Sequence, residues 1–139
     1  MNIVLSGFSG SIGKTIFNSF VSAEYNFFPY NMRNYRLEFG HDFENFDVFI
    51  HLASLNANLQ NQNHFQEELN LSKKALSFCI KRKIKHMIFF STSQIYSEKN
   101  SINGSIDEAA NIQPENIYAS AKLECEEFLL EACKQYDIG

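Results

Sequence analysis

Tyr118 and Lys122 are the residues whose types and spacing most directly suggest chemistry. They lie four positions apart, so a helix would place both side chains on one face. A lysine ammonium beside a phenol favours the phenolate, which can exchange a proton with a substrate hydroxyl. Thr92 follows the apolar run at 86–91 and offers a second hydroxyl for the same oxygen. The three side chains predict proton transfer at a carbinol, with hydride passing to or from a nicotinamide.

A second chemical pattern, Gly7-x-x-Gly10-x-x-Gly13, follows a short apolar run at 2–6. A glycine turn that opens a helix exposes backbone N–H groups, and the positive end of the helix dipole favours an anion. Gly7 permits the tight turn, Gly10 the close approach of a pyrophosphate, and Gly13 the packing of helix on strand. The strand before it and the helix after it favour a dinucleotide site over a merely glycine-rich turn. We expect this site to be formed by Gly7, Phe8, Ser9, Gly10, Ser11, Ile12 and Gly13.

Gly13-Lys14-Thr15 resembles the end of a P-loop, the phosphate-binding motif of many ATP- and GTP-binding proteins. That motif needs a glycine five positions before the Gly-Lys pair. Phe8 occupies that position, and Gly7 lies one residue too far away. The spacing therefore disfavours the P-loop interpretation.

Composition and charge exclude several other classes of protein. The net charge is −4 and the pI is near 5.5, which disfavours a nucleic-acid or membrane-surface binder. No run approaches the roughly 18–20 apolar residues that a membrane span needs, and the N-terminus lacks the pattern of a secretory signal. The three cysteines and four histidines show no metal-ligand spacing. We expect free thiols, no metal, no membrane and a cytoplasmic location.

The hydrophobic periodicity predicts strands alternating with helices. Predicted strands are 2–6, 26–30, a short one at 36–39, 47–53 and 86–91. Predicted helices follow the glycines to about residue 24, then span 64–83 and 118–136. In the second helix the residues expected to face inward are Phe65, Leu69, Leu76, Cys79 and Ile80; in the third they are Leu123, Phe128 and Leu129.

The order of these elements predicts one domain, 1–139, of the α/β class. Strands 47–53 and 86–91 are nearly continuous in apolar residues, as buried parallel strands are. We therefore expect a Rossmann-type, doubly wound parallel sheet covered on both faces.

With these motifs in this order, the chain resembles the extended short-chain dehydrogenase/reductase family, specifically the NAD-dependent epimerase/dehydratases of nucleotide sugars. The resemblance runs from Met1 to Gly139. Besides the glycine motif and Tyr118-x-x-x-Lys122, it rests on 47–53, on Asn70 and the residues after it, on 90–96, on Glu108 and on Pro114.

The resemblance implies roles for individual residues. Tyr118 would transfer the proton, Lys122 would assist it and bind the nicotinamide ribose, and Thr92 would supply the second hydroxyl. His51, Leu52 and Ala53 would line the cofactor, with Asn70 nearby. A core histidine remains an open alternative for His51.

Three departures from the family pattern bear on function. Sugar 4,6-dehydratases carry Asp-Glu after the catalytic threonine, where this chain has Ser93 and Gln94, so dehydration is disfavoured. No acidic residue follows the second strand, and Arg33 there would suit a 2′-phosphate, which leaves NAD and NADP both open. The chain ends at Gly139, whereas family members continue into another strand and a substrate-binding region. We therefore expect only the N-terminal portion of the family fold, without its usual C-terminal substrate-binding region.

By resemblance, the function is that of an NAD(P)-dependent nucleotide-sugar epimerase or keto-sugar reductase, in the biosynthesis of surface-polysaccharide sugars. The alternative is a non-catalytic nucleotide-binding or interaction protein, a shortened relative without a substrate region. Relatives pair through the helices equivalent to 64–83 and 118–136, so a homodimer is expected. Phe65, Phe78, Phe128 and Leu129 could supply its apolar surface or could face the core.

Overall fold

The structure, a computed structural model, describes residues 1–20, 24–34, 36–37, 45–55, 63–96, 106 and 108–139. Residues 21–23 of the first predicted helix, residues 38–39 of the short strand and the loop residues 56–62 and 97–105 lie outside these ranges. The strands are β1 (Asn2–Ser6), β2 (Asn26–Asn31), β3 (Arg36–Leu37), β4 (Val48–His51) and β5 (His86–Phe89). The helices are α1 (Ser11–Phe20), α2 (His64–Arg82) and α3 (Ile117–Tyr136), with a short 3₁₀ turn at Ser93–Ile95.

The strands form one five-stranded sheet in the order β3-β2-β1-β4-β5. β1 pairs in parallel with β2 on one side and β4 on the other, and β4 pairs in parallel with β5. Only the two-residue β3 runs antiparallel, against the end of β2. This topology confirms the predicted Rossmann-type α/β fold. Because the strand order reverses between β1 and β4, a crevice opens at their carboxyl ends.

Side chains alternate across the sheet and meet helices on opposite faces. On one face Phe17 of α1 packs against Phe27 of β2, with 6.2 Å between ring centroids. On the other face Phe49 of β4 packs against Phe78 of α2, at 5.7 Å. This second face carries the core. The core includes Val4, Phe28, Tyr30, Phe49, Leu76, Cys79, Ile84 and Leu129.

β5 is less buried than its apolar sequence predicts. Met87 and Phe89 pack against the core, whereas His86 and Ile88 point to the face that carries α1. Ile88 is 48% exposed and Phe90, just after the strand, is 39% exposed. Within the described residues, the part of the sheet over β5 is therefore covered on one face, not on both as predicted.

The inward stripe of α2 also differs from the prediction. Leu76 and Cys79 are buried as expected, but Ile80 is 37% exposed. The other buried positions are His64, Glu68, Ser72 and Ala75. Glu68 can occupy this stripe because other groups, described below, form hydrogen bonds and an ion pair with it. The hydrophobic pattern alone could not identify it.

The ends of α2 and α3 return the chain to the sheet. α2 ends at Lys83, which has a left-handed φ of 56° and donates its N–H to carbonyls of the last turn. α3 ends in the same way at Asp137, with φ of 55°. Beyond it, Gly139 forms two backbone hydrogen bonds with the residues that flank His86. Its N–H donates to Lys85 O at 2.7 Å, and its carbonyl accepts from Met87 N at 2.8 Å. This is the hydrogen-bond pattern of a parallel bridge.

Candidate functional site

The glycine turn leads directly from β1 into α1. Gly7 has φ of 73°, a left-handed conformation that glycine adopts without a steric penalty. Gly10 N donates to Gly7 O at 3.0 Å and closes the turn, and Lys14 N donates to Gly10 O at 2.9 Å. The N–H groups of residues 11–13 precede the first intrahelical donor and thus have no partner within the helix. Such groups, with the helix dipole, form a site for a phosphate.

The three glycines have different surroundings. A Cβ on Gly13 would collide with the carbonyl oxygen of Gly7 and would lie 2.6 Å from the Cα of Phe8. A Cβ on Gly7 would lie 2.6 Å from the backbone nitrogen of Ala53. A Cβ on Gly10 would meet only Gly7 O, at 3.3 Å. Gly7 and Gly13 are therefore required by packing, whereas Gly10 keeps an open surface that a ligand can approach.

A cleft of about 630 Å³ lies at the carboxyl ends of β1, β2 and β4. This is where open α/β sheets bind their ligands. One wall is the glycine turn, one is the end of β2, and one is the segment after β4. Its lining residues are Gly7–Gly10, Tyr30–Arg33, Leu52–Leu55 and, from α2, Leu71.

The predicted cofactor residues divide into those that line this cleft and those that do not. Phe8, Ser9, Arg33, Leu52 and Ala53 line it together with Gly7 and Gly10. Ser11, Ile12 and Gly13 form the first turn of α1, beside the lining residues. Asn70 is an exposed residue of α2 whose Oδ1 accepts a hydrogen bond from Gln66, at 3.2 Å.

His51 lies beneath the cleft, in the core. Its ring is 1% exposed and contacts the rings of Phe49 and Phe89. Its Nδ1 lies 2.7 Å from Ser6 Oγ, which also accepts the N–H of Ala53 at 3.4 Å. Burial, aided by the charge of Lys122, lowers the pKa of His51 from 6.5 to about 3. His51 is therefore neutral near pH 7. Its hydrogen bond with Ser6 joins the end of β4 to the end of β1.

Thr92 and the start of α3 are joined by two hydrogen bonds. Thr92 Oγ1 accepts from Gln94 N at 3.3 Å, which fixes the turn after β5. Asn116 caps α3 by accepting from Ala119 N at 2.8 Å, and its Nδ2 donates to Gln94 Oε1 at 3.0 Å. The turn that carries Thr92 and the helix that carries Tyr118 are thus held together.

Tyr118 and Lys122 lie on α3 as predicted, one turn apart. Tyr118 is half-buried, and its ring contacts that of His64 edge-on, with centroids 6.1 Å apart. Lys122 is 2% exposed: its Nζ lies 4.1 Å from the ring centroid of Phe89 and 3.4 Å from Glu68 Oε1. Burial lowers the pKa of Lys122, and Glu68 is the strongest opposing influence.

Glu68 is the residue of this region that the sequence analysis missed. It is 1% exposed, and it contacts Ser54, Leu55 and Lys122. Its burial could have been inferred from its position in the helix, because residues 64, 68, 72, 75, 76 and 79 repeat at helical spacing. A carboxylate in a stripe that also includes Ala75, Leu76 and Cys79 needs a buried partner.

The described residues contain neither a metal-binding cluster nor a membrane-spanning helix. No group of three or more His, Cys, Asp or Glu side chains is arranged to hold a metal ion. None of the helices in the described ranges has the length and apolar character to cross a membrane.

Comparison with known sequences assigns the chain to a family. The sequence profile of the NAD dependent epimerase/dehydratase family matches residues 3–139, nearly the whole chain. The chain therefore belongs to that family, as its motifs indicated. A comparison with curated proteins gives no match.

Solved structures share the fold at low sequence identity. UDP-N-acetylglucosamine 4-epimerase from Bacillus cereus matches with a TM-score of 0.83 and 17% identity, over 99% of this chain and 52% of its own. RMD from Pseudomonas aeruginosa, solved with NADPH, matches at 0.80 and 19%, over 99% and 50%. A UDP-glucuronic acid 4-epimerase from Bacillus cereus, solved with NAD, matches at 0.78 and 19%, over 99% and 54%. The chain thus spans about half the length of these proteins.

Proposed function

We propose that this chain is the cofactor-binding and proton-transfer part of an NAD(P)-dependent nucleotide-sugar epimerase or keto-sugar reductase. The main support for this proposal is the cleft at the carboxyl ends of β1, β2 and β4, where the strand order of the sheet reverses. Its glycine turn and unpaired α1 amides suit a pyrophosphate, and its other walls suit the adenosine and nicotinamide ends. The family match and the structural relatives support the same class. The comparisons do not favour the alternative of a non-catalytic binding protein.

The proposed chemistry uses Tyr118, Lys122 and Thr92. Bound nicotinamide supplies or accepts the hydride. Tyr118 exchanges a proton with the sugar hydroxyl, and Thr92 donates a hydrogen bond to the same oxygen. Lys122, one turn along α3 from Tyr118, is the residue proposed to assist it and to bind the ribose. Gln94 bonds the α3 cap and Ser93 has no acidic group, which favours epimerisation or reduction over dehydration.

Arg33 bears on the choice of dinucleotide. It lines the cleft at the end of β2, where the adenosine ribose of a dinucleotide lies in this fold. Its own N–H donates to Asn31 Oδ1 at 2.9 Å, which fixes the turn that presents it. A guanidinium at this position pairs with a 2′-phosphate, so we propose that NADP binds at least as well as NAD. Arg33→Ala should then weaken NADPH binding more than NADH binding.

Tyr118→Phe tests the proposed reaction. Candidate UDP- and dTDP-sugars are assayed with NAD(H) and NADP(H), using the complete protein. Proton transfer contributes about 10²–10⁴-fold to rate, so turnover should fall by that order while dinucleotide affinity persists. Tyr136→Phe, at the exposed end of α3, is the matched control and should keep full turnover. Full activity of Tyr118→Phe would refute the mechanism, and failure of the parent protein to bind either dinucleotide would refute the function.

We further propose a homodimer formed through α2 and α3, by resemblance to the family. Leu129 is buried in the core and is not available for that interface, whereas Phe78 is half-buried and packs against the core. Phe65 and Phe128 are half-buried and Leu130 is exposed, and these residues could form it. Sedimentation of the parent protein and of Leu130→Glu tests this proposal. The three free cysteines suit the reducing cytoplasm, which we propose as the location.

A further inference from the structure

One buried carboxylate connects the cleft to α3. Glu68 Oε1 accepts from Ser54 Oγ at 2.7 Å, and Oε2 accepts from Leu55 N at 2.9 Å. Ser54 and Leu55 both line the cleft. The Lys122 ammonium is the third donor, at 3.4 Å. A single side chain of α2 therefore contacts a wall of the proposed cofactor site and a residue of the proposed proton-transfer group.

Stability alone does not account for this arrangement. A buried ion pair often stabilises a fold less than well-packed apolar residues of similar volume would, because both charges lose their hydration. What such a pair can provide is a single fixed arrangement of the groups that it joins. Glu68 satisfies this description, since its two oxygens together accept from the segment after β4 and from α3.

We propose that Glu68 is a positioning residue, which holds the Lys122 ammonium and the Ser54–Leu55 wall of the cleft in one arrangement. The inference rests on the proposed function of Lys122 and deepens it. Glu68 contacts neither sugar nor dinucleotide in this proposal. It acts through Lys122 and through the segment after β4.

The charged surroundings of Lys122 indicate what removal of Glu68 would do. Glu68 opposes the effect of burial on the pKa of Lys122, and Cys125 and Glu126 on α3 act in the same direction. His51 is the titratable neighbour on β4 and is neutral near pH 7. The ring of Phe89 also favours the ammonium. Without the negative charge of Glu68, less remains to oppose the lowering of the Lys122 pKa by burial, so that pKa should fall.

The first measurement follows Lys122 directly and requires no ligand. The protein is labelled with ¹³C at lysine Cε, the Lys122 signal is assigned with Lys122→Arg, and pH titrations are compared. Glu68→Gln should lower the pKa of Lys122, and Glu68→Asp, which keeps the charge, should restore part of it. Glu67→Gln is the matched control, because Glu67 is the exposed neighbour on α2. An unchanged Lys122 titration in Glu68→Gln would overturn the inference.

The second measurement tests the consequence for the cleft. NADH and NADPH are titrated by nicotinamide fluorescence. Glu68→Gln should raise the Kd by about tenfold, because a charged hydrogen-bond acceptor of Leu55 and Lys122 is lost. Glu67→Gln should leave it unchanged. Equal Kd values for Glu68→Gln and the parent protein would refute the positioning role. If the parent protein binds neither nucleotide, the proposed function fails, and the lysine titration still decides whether Glu68 holds Lys122.

A double variant separates positioning from folding. Glu68→Gln leaves a buried ammonium without its main partner, which is more destabilising than removal of both charges. Glu68→Gln with Lys122→Met should therefore melt at a higher temperature than Glu68→Gln alone, while dinucleotide binding stays as weak as in Lys122→Met alone. Recovery of binding along with stability would show that Glu68 has only a structural role. If Glu68→Gln does not fold, both the lysine titration and the dinucleotide titration are made on Glu68→Asp.

Discussion

Gly10 and Gly13 belong to one turn, but the fold constrains them in different ways. Gly13 is buried against the backbone of Gly7 and Phe8, so the helix can start there only without a side chain. Gly10 is exposed, and a Cβ there would meet one atom only, Gly7 O, at 3.3 Å. Packing thus explains Gly13, and we propose that access for a ligand explains Gly10.

This difference predicts opposite outcomes for two alanine variants. Gly13→Ala should lower the free energy of unfolding by about 1–3 kcal/mol, because the added methyl overpacks the turn. Gly10→Ala should change stability little and weaken dinucleotide binding. Urea denaturation and fluorescence titration of NADH and NADPH measure the two effects. Equal destabilisation by both variants would contradict the assignment of separate roles.

His51 predicts a pH dependence of stability. Its folded-state pKa of about 3 lies below the ordinary value of 6.5. The unfolded chain therefore binds a proton below pH 6.5 that the folded chain does not bind until about pH 3. Stability from this residue is complete above pH 6.5 and decreases as the pH falls towards 3, by an amount on the order of 5 kcal/mol.

His51→Asn isolates this contribution, because asparagine does not titrate and can still bond Ser6. Urea unfolding is measured for both proteins at pH 7 and pH 4. The parent protein should lose more stability between pH 7 and pH 4 than the variant does. Protonation of carboxylates lowers the stability of both proteins equally, so the difference belongs to His51. Equal losses would show that His51 is not held in its neutral form.

At the scale of elements, the strongly patterned segments were predictable and the mixed ones were not. β1 matches its predicted bounds, β4 covers only Val48–His51 of the predicted 47–53, and α2 and α3 lie within a residue of their predicted bounds. The buried stripe of α2 was misjudged because periodicity counts Glu68 and Ser72 as outward residues. β5 was judged fully buried because its composition does not reveal which neighbours cover each face. Both errors concern tertiary partners that local sequence does not encode.

The start of α3 supports a prediction about capping. Asn116 accepts from Ala119 N and donates to Gln94. Asn116→Ala removes both bonds and should lower the free energy of unfolding by about 1 kcal/mol. Asn116→Asp keeps the capping acceptor and loses only the donor to Gln94, so it should retain most of that stability. Thermal and urea unfolding compare the two, and similar losses would show that the cap contributes little.

In the whole molecule, the candidate site is assembled from three distant parts of the chain. Residues 7–10, 30–33 and 52–55 meet because β1 lies between β2 and β4. The motifs allowed the first and third parts to be predicted, together with Arg33. The sequence left the burial of His51 as one of two alternatives. The contacts of Glu68 could not be predicted, because they depend on how α2 and α3 pack on the sheet.

The exposed face of β5 has a consequence for handling the 139-residue polypeptide. Ile88 lies in the edge strand β5 and Phe90 follows it, and both side chains are exposed. Exposed apolar side chains at a sheet edge promote association between molecules. Ile88→Lys should reduce aggregation at high concentration without lowering the melting temperature. Ile80→Lys, on the exposed side of α2, is the matched control and should have less effect. Light scattering against concentration compares them, and equal scattering by Ile88→Lys and the parent would contradict this prediction.

We expect this face to limit the solubility of the chain. A purified sample of this chain would be restricted by two side chains at one edge of the sheet, far from the glycine turn. One charged substitution there would allow the concentrated solutions that lysine titration requires, and it would leave the cleft and its proposed chemistry unchanged.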